Sequence, residues 1–321
     1  MNVGIIGSGF IIPVFIENAK KFEDYHLRAI WGRHEEKLLA FKDDVDYYTT
    51  NLEEMLNDKK IDVVYVALPN ALHYEYAMKA LKHGKHVMLE KPFTVHYNQA
   101  KKLIDYAKKN NLIIFETIVT KHNPNYHDMK KHKDRLGDIK MVSGNFSQYS
   151  RRYERFKRGE ITPVFDKKMA GGALLDLNVY NIHYVVGMFG RPKKVNYFPT
   201  IEKGVDTAGV LILDYGNFKA NLTATKNSKV DNYVVIQGDE GYLRCNTVAS
   251  RCGNYTVKLN NGVEEHYGSE DSEFAAWVHE MKEFARLYKK KDMKKAQEYN
   301  KDTLDVAYVL EKALASCKLD Y

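Results

Sequence analysis

The order of local patterns along the first 120 residues constrains this chain more than any single motif. Short, apolar, β-branched runs fall at Val3–Ile6, His26–Trp31, Val63–Leu68, His86–Leu89 and Leu112–Ile118, with a weaker one near Tyr47. Amphipathic stretches at 11–22, 34–42, 51–58, 73–83 and 95–109 separate them. Strands apolar on both faces must be covered on both faces, and a helix between successive strands supplies the crossover that parallel pairing needs. The pattern predicts an α/β domain with a doubly wound parallel sheet, whose ligands bind beyond the carboxyl ends of its strands.

Gly7-Ser8-Gly9-Phe10-Ile11-Ile12 closes the first strand and opens the first helix. Two glycines at such a junction permit a tight turn and let a pyrophosphate approach the helix N-terminus, the fingerprint of a Rossmann domain. Ile12 stands where Gly or Ala is usual, and is expected to push the helix outward. The second strand ends Ile30-Trp31-Gly32-Arg33-His34, with no acidic residue before Glu35. Dinucleotide sites that select a ribose 2′-hydroxyl carry Asp or Glu here, whereas an arginine suits a 2′-phosphate. NADP(H) is therefore favoured and NAD(H) allowed, against the plainer account of Arg33 as a helix-start residue.

Leu68-Pro69-Asn70 and His73 fall at the carboxyl end of the fourth strand. Asn70 suits a helix cap. His73 is either a first-turn neighbour of the cofactor or an exposed histidine. Glu90-Lys91-Pro92 closes the fifth strand. A lysine at the edge of a buried strand is costly unless its charge is used, and the following proline fixes the backbone that aims it. By position alone a surface lysine in a loop fits nearly as well.

Further along, Gly171-Gly172 precedes Ala173-Leu174-Leu175-Asp176-Leu177-Asn178-Val179-Tyr180-Asn181-Ile182-His183. The spacing of Asp176, Tyr180 and His183 places them on one face of an α-helix, a carboxylate, a phenol and an imidazole on an otherwise apolar element. A buried tyrosine that packs by its ring and a satisfied core histidine are the bland alternatives.

Composition narrows the classes. At 321 residues, 44% apolar and 28% charged, the chain suits two globular domains. The excess of 49 Lys+Arg over 42 Asp+Glu is spread through helical segments such as Lys101-Lys102 and Lys289-Lys290-Lys291. With no nucleic-acid motif beside them, these lysines describe a solvated surface that attracts anionic cofactors, not a nucleic-acid partner. No apolar run approaches the roughly 18 residues a membrane helix needs. Residue 1 leads directly into a strand, so no targeting segment is expected and a cytoplasmic location is. Cys245, Cys252 and Cys317 form no pairing pattern. His122, His127 and His132 recur every five residues, which does not stack on a helix face, so no metal site is expected.

Taken in order, Gly7-Ser8-Gly9, Leu68-Pro69-Asn70-Ala71-Leu72-His73, Gly84-Lys85-His86-Val87-Met88-Leu89-Glu90-Lys91-Pro92, Gly171–His183 and a closing helix at Asp305–Cys317 resemble the Gfo/Idh/MocA family of NAD(P)-dependent oxidoreductases. The resemblance implies that Lys91 is catalytic beside the nicotinamide and that the Gly-Gly-x-x-x-Asp helix supplies the other half of the site. Members similar to inositol dehydrogenase carry His four residues after the Asp. Tyr180 stands there, as in the branch similar to glucose–fructose oxidoreductase and dihydrodiol/D-xylose dehydrogenase. Asn178 replaces a glycine common at that point and is expected to alter packing next to the substrate. Candidate catalytic residues are thus Lys91, Asp176 and Tyr180. Cofactor candidates are Gly7, Ser8, Gly9, Phe10, Ile11, Arg33, His34, Leu68, Pro69, Asn70, His73, Glu90 and Lys91. Substrate candidates are His122, Tyr153, Asn181 and His183.

Lys121-His122-Asn123-Pro124 is a turn signal, which divides the chain into a Rossmann domain at 1–121 and a second domain at 122–321. Strand patterns at 140–149, 193–198, 209–213, 218–225, 233–237, 242–246, 255–259 and 263–267, several joined by hairpin signals, predict an α+β domain with a mostly antiparallel open sheet. One sheet face is expected under the helix at 173–188. The resemblance implies that the open face makes a homo-oligomer, a dimer or a tetramer. Ser150–Arg158 reads as a lid carrying cations or, more plainly, as a solvated loop. Helices near 270–290 and 302–318 are expected to face Phe274, Trp277, Val278, Met281 and Phe284 to the core, the last helix packing back on the first domain.

These residues suit hydride transfer between nicotinamide C4 and a carbinol carbon of a sugar or polyol. Tyr180 would take the hydroxyl proton, and Lys91 would favour its phenolate, since a free phenol titrates near pH 10. Asp176 would orient Lys91 or accept a substrate hydroxyl. A non-catalytic dinucleotide sensor and a cofactor-retaining transhydrogenase or glycosidase are the competing classes.

Overall fold

β1 (Asn2–Ile6), β2 (His26–Trp31), β3 (Tyr47–Thr49), β4 (Val63–Val66), β5 (His86–Glu90) and β6 (Ile114–Thr117) form one parallel sheet in the order β3-β2-β1-β4-β5-β6. Strand order reverses between β1 and β4, so a crevice opens at the carboxyl ends of these two strands, where Gly7 and Leu68 lie. The inner strands are buried along their length: Val63, Val64, Tyr65 and Val66 have no exposed surface. Ile12 is also fully buried at the start of the first helix, Ile12–Ala19. The larger side chain is thus accommodated within the core.

The computed structural model describes residues 1–268 and 273–321, the side chains of 273–276 excepted. It divides into two units, Met1–Thr117 with Met281–Thr303, and Ile118–Glu280 with Leu304–Tyr321. The late segment joins the first unit through specific contacts. Phe284 and Tyr299 meet Phe115 edge-on at 5.5 and 6.0 Å, Tyr25 donates to the Met281 carbonyl at 2.7 Å, and Thr303 donates to Glu116 at 2.7 Å. Met281 and Phe284 are buried as their helical spacing predicts, whereas Trp277 and Val278 are half-exposed, and the Phe274 side chain lies outside the described residues.

The second unit holds an eight-stranded sheet of β7 (Ile139–Ser147), β8 (Lys194–Glu202), β9 (Val205–Asp214), β10 (Lys219–Thr225), β11 (Tyr233–Gly238), β12 (Gly241–Cys245), β13 (Tyr255–Leu259) and β14 (Glu264–Tyr267). Its order is β14-β13-β12-β11-β7-β10-β9-β8, and only β10 and β7 run parallel. Alternate residues such as Val142, Leu222, Leu211 and Leu243 are buried on one face, against which the helix Val179–Phe189 packs. Across the other face, Phe198 stands opposite Val210 and Val210 opposite Thr223.

Candidate active site

At the crevice of the first unit, Gly7, Ser8, Gly9, Gly32, Arg33, His34, Lys37, Leu68 and Pro69 line a cleft of ≈ 210 Å³. Gly7 has φ of 129°, and a Cβ there would collide with the Ala67 carbonyl, so the turn requires glycine. Phe10 is 73% exposed beside the glycines, and Ile11 is half-buried. Arg33, His34 and Lys37 all lie at the exposed rim, and among the described residues no carboxylate lines the cleft. Lys37, in the short helix Glu35–Leu38 that follows, is a cation that sequence reading missed, because nothing in its spacing separates it from a solvated lysine.

Lys91 is half-buried, and the backbone around it is held at successive points. Its own N–H donates to Glu90 at 3.2 Å, and the Phe93 N–H donates to Glu116 at 3.0 Å. The His73 ring lies 2.8 Å from the Pro92 carbonyl through Nδ1 and 2.8 Å from the Leu68 carbonyl through Nε2. His73 is therefore neither exposed nor a cofactor neighbour reaching outward. It is fully buried and ties the loop after β4 to the loop after β5. Burial pushes its pKa below the usual histidine value, while the two carbonyls oppose that shift. Burial raises the Glu90 carboxyl, against the lowering effect of the Tyr65 hydroxyl at 2.7 Å. Asn70 does not cap the helix His73–Lys82, because it opens a separate 3-10 turn, Asn70–Leu72, and the cap position is Leu72. The Lys91–Pro92 peptide bond is cis.

In the second unit the expected α-helix from 173 departs from its ordinary winding. Leu174–Asn178 is a π-helical turn, followed by the α-helix Val179–Phe189. The turn begins on a buried carboxylate: Asp206 accepts the Leu174 N–H at 2.7 Å and the hydroxyls of Tyr197 and Tyr321 at 2.6 and 2.7 Å. Gly172 has φ of 118°, and a Cβ on it would run into Asp206, which explains the second glycine of the pair. Burial raises the Asp206 pKa and these donors oppose it.

A π-turn winds more residues per turn than an α-helix, and such turns concentrate at functional sites. Between Gly171 and Val186 every residue is buried except Asp176 and Tyr180, which are half-buried. Tyr180 packs its ring against Phe146 at 5.8 Å, on the cluster of Phe146, Ala173, Leu177 and Ala224. Asp176 is held by Lys226, at the end of β10, whose ammonium lies 2.6 Å from the carboxylate and 2.9 Å from the Val164 carbonyl. Lys226 is 1% exposed and sits 4.7 Å from the Phe165 ring centroid. Sequence reading missed Lys226, since its partner is 50 residues away and only the strand register joins them.

Other predicted residues lie elsewhere. His183 has no exposed surface, and Asn181 is 1% exposed with its amide nitrogen donating to Asn178 and the Thr223 carbonyl. Both side chains are buried. Asn178 is fully buried and donates to the Leu222 carbonyl at 3.0 Å, so it pins the helix to β10 and does not shape a substrate contact. His122 is buried, and desolvation with Lys121 and three histidines nearby lowers its pKa to about 3. Tyr153 donates to Glu202 at 2.8 Å and stacks on Phe156 in a short helix, Tyr153–Lys157, so the basic stretch is anchored from within.

A dinucleotide-type crevice in one unit, and in the other an open sheet under a helix that leaves a carboxylate and a phenol accessible, are the features of a nicotinamide-dependent oxidoreductase. Residues 1–118 match the oxidoreductase family with an NAD-binding Rossmann fold, and residues 131–244 match the GFO/IDH/MocA C-terminal domain. The chain belongs to the Gfo/Idh/MocA oxidoreductase family. It is 33% identical to scyllo-inositol 2-dehydrogenase (NADP(+)) IolU of Bacillus subtilis (strain 168), over 96% of this chain and 94% of that one. It is 27% identical to D-xylose 1-dehydrogenase (NADP(+)) 2 of Haloferax volcanii, over 77% of this chain and 76% of that one. In fold it is similar to the 3-ketoreductase KijD10 of Actinomadura kijaniata, solved with NADP and TDP-benzene, at a TM-score of 0.86 and 22% identity over 98% and 97% of the two chains. No helix among the described residues is long and apolar enough to cross a membrane.

Proposed function

We propose that this chain transfers a hydride between NADP(H) and a carbinol carbon of a sugar, polyol or related small molecule, with Tyr180 as general acid/base assisted by Lys91. The observation that carries it is that, from Gly171 to Val186, only Asp176 and Tyr180 reach the surface. A helix spending its two accessible positions on a carboxylate and a phenol is built for proton transfer. The relatives named for NADP-dependent oxidation of scyllo-inositol and D-xylose support the substrate class.

When bound, the nicotinamide supplies the hydride acceptor or donor. The chain does the rest. With NADP(H) bound, the rim residues Arg33, His34 and Lys37 would hold the 2′-phosphate, and among the described residues no carboxylate lines the cleft to repel it. Tyr180 takes the hydroxyl proton during oxidation and returns it during reduction. Lys91 supplies the positive charge that favours the phenolate. Asp176, fixed by Lys226, accepts a substrate hydroxyl and so fixes the carbinol carbon relative to Tyr180.

The exposed apolar residues Phe198 (63%), Val210 (38%), Met141 (37%) and Tyr242 (36%) share the sheet face opposite the helix and support self-association through it. Light scattering of the purified protein tests this, a monomer refuting it. The catalytic reading is tested by a panel of sugars and polyols with NADP⁺ and NAD⁺, followed at the reduced-nicotinamide absorbance. NADPH formation with at least one polyol is expected. Tightly retained cofactor with no net NADPH release would favour a transhydrogenase or a glycosidase instead.

A further inference from the structure

The π-turn Leu174–Asn178 hangs on its first residue. Leu174 donates its N–H to Asp206, and its carbonyl accepts the Val179 N–H, the i to i−5 bond that distinguishes a π-turn. Such a turn winds each residue through a smaller angle than an α-helix does, so the place where it starts decides which side chains face outward. Asp206 fixes that start. Between Gly171 and Val186 the two accessible side chains are Asp176, inside the turn, and Tyr180, just after it.

Asp206 has no exposed surface and is itself held from two further directions. Tyr197 of β8 donates at 2.6 Å to Oδ2, the oxygen that also receives Leu174, and Tyr321 donates at 2.7 Å to Oδ1. Two glycines clear the way. A Cβ on Gly209 would run into the Tyr197 phenol, and one on Gly172 would strike Asp206 Oδ1 and crowd the Tyr321 hydroxyl. A buried carboxylate is a poor source of stability, because apolar side chains of equal volume fill such a site without the cost of desolvation. What it supplies is direction, since its two oxygens hold three donors in one arrangement.

The same turn is held a second time, at Asp176, by the Lys226 ammonium, which also donates to the Val164 carbonyl and lies over the Phe165 ring. Tyr321 serves both holds. Its hydroxyl reaches Asp206, and its ring packs against the cluster of Phe156, Phe165 and Val205 that seats Lys226. It arrives from beyond the helix Met293–Ser316, 115 residues from Asp206 in the sequence, and is half-buried. Loss of its hydroxyl would therefore loosen the start of the turn while the ring stays in place.

We propose that Tyr321, with Tyr197 and Asp206, is a positioning residue that keeps the π-turn in the register presenting Asp176 and Tyr180 together. It acts through Asp206 and Leu174 and takes no part in the proton transfer itself. This rests on the proposed hydride-transfer reading, and the experiment separates the two. NADP⁺ reduction with myo-inositol, scyllo-inositol, D-glucose and D-xylose is measured for wild type, Tyr321→Phe, Tyr197→Phe, Asp206→Ala and Asp206→Asn. Tyr255→Phe is the control, because it too removes a phenol from a carboxylate, Asp128 at 2.5 Å, in the same unit. Hydrogen–deuterium exchange of the peptide 172–180 is followed alongside. Small misplacements of reacting groups cost up to about a hundredfold in rate. Tyr321→Phe should lower kcat about 10–100-fold, with KM and the NADP⁺ Kd within about twofold of wild type, and should speed exchange in 172–180. Tyr255→Phe should lower Tm at least as much yet keep kcat within about twofold. Asp206→Asn, which keeps one acceptor oxygen, should recover part of the activity lost in Asp206→Ala; if Asp206→Ala does not fold, Tyr321→Phe decides. Faster exchange in Tyr321→Phe, with no compound turned over by wild type, upholds the hold on the turn and overturns the hydride reading. Wild-type kcat and exchange in both Tyr321→Phe and Tyr197→Phe, or an equal loss of kcat in Tyr255→Phe, overturns the positioning role.

Discussion

Lys226→Met tests how the second unit sets up its accessible carboxylate. The wild-type ammonium is 1% exposed and serves Asp176 at 2.6 Å, the Val164 carbonyl at 2.9 Å and the Phe165 ring at 4.7 Å. Methionine fills nearly the same volume, so the loss is electrostatic and not a cavity. Removing one member of a fully buried ion pair costs roughly 3–5 kcal/mol, because the other charge is stranded. Asp176 is not fully buried: its side chain is 27% exposed, and water recovers part of that cost. The lost donor to Val164 adds back about 1 kcal/mol. A destabilisation of roughly 2–4 kcal/mol follows, which for a unit of this size lowers Tm by about 4–16 °C. The assay is a double-mutant cycle by chemical denaturation with Lys226→Met, Asp176→Asn and the pair together. Asp176→Asn in the Lys226→Met background should cost at least about 1 kcal/mol less than in the wild type. Additive effects, or a Lys226→Met Tm within a degree of wild type, would refute the pairing.

Three further outcomes follow from other parts of the chain. Arg33→Ala with Lys37→Ala should weaken NADP⁺ binding by about 10–100-fold and leave NAD⁺ within about threefold, since only the 2′-phosphate meets these charges; fluorescence titration with both cofactors decides, and equal losses refute the assignment. His122 has its folded pKa lowered to about 3 from 6.5, so the unfolded chain binds its proton first as pH falls. Its effect is absent above pH ~6.5 and costs up to roughly 1.4 kcal/mol per pH unit below that, until the folded pKa is reached. Wild type should therefore lose more stability than His122→Gln between pH 7.5 and 5.5, by about 1 kcal/mol; parallel losses would contradict the burial argument. Gly172→Ala, forced against Asp206 at positive φ, should destabilise the protein by at least about 2 kcal/mol, whereas the exposed Gly159→Ala should cost less; equal melting points would remove the close-approach explanation.

The architecture was legible because every strand of the first unit carries its own local signal. Runs such as Val63–Val66 are apolar on both faces, and turn residues punctuate them, so the six strands and their parallel pairing follow from alternation alone. The open sheet was legible for the same reason, with hairpin turns at 214–217, 239–241 and 260–262 joining the expected neighbours. What stayed hidden depends on register or on backbone hydrogen bonding. The π-turn at Leu174–Asn178 has an ordinary helical pattern of side chains, and only the carboxylate of Asp206, 32 residues on from Leu174, reveals why the chain turns there. Lys226 reads as a strand-end lysine until β10 is placed beside β7 and under the helix. His73 reads as a surface or cofactor histidine because its two carbonyl partners come from separate loops. Helical spacing sets His183 on the face of Asp176 and Tyr180, yet those two are half-buried whereas His183 is fully buried. The assignment of Met281–Thr303 to the first unit rests on aromatic contacts with Phe115 that no local pattern encodes.

The central claim is that Tyr180 transfers the proton that accompanies hydride transfer. Tyr180→Phe removes one oxygen and keeps the ring that packs on Phe146. The most direct measurement compares NADPH binding by fluorescence titration with turnover of a saturating polyol in wild type and Tyr180→Phe. Removing a general acid/base costs about 10²–10⁴-fold. Cofactor affinity within about twofold of wild type, with kcat reduced by at least about a hundredfold, is the expected result. Wild-type-like turnover in Tyr180→Phe would contradict the account.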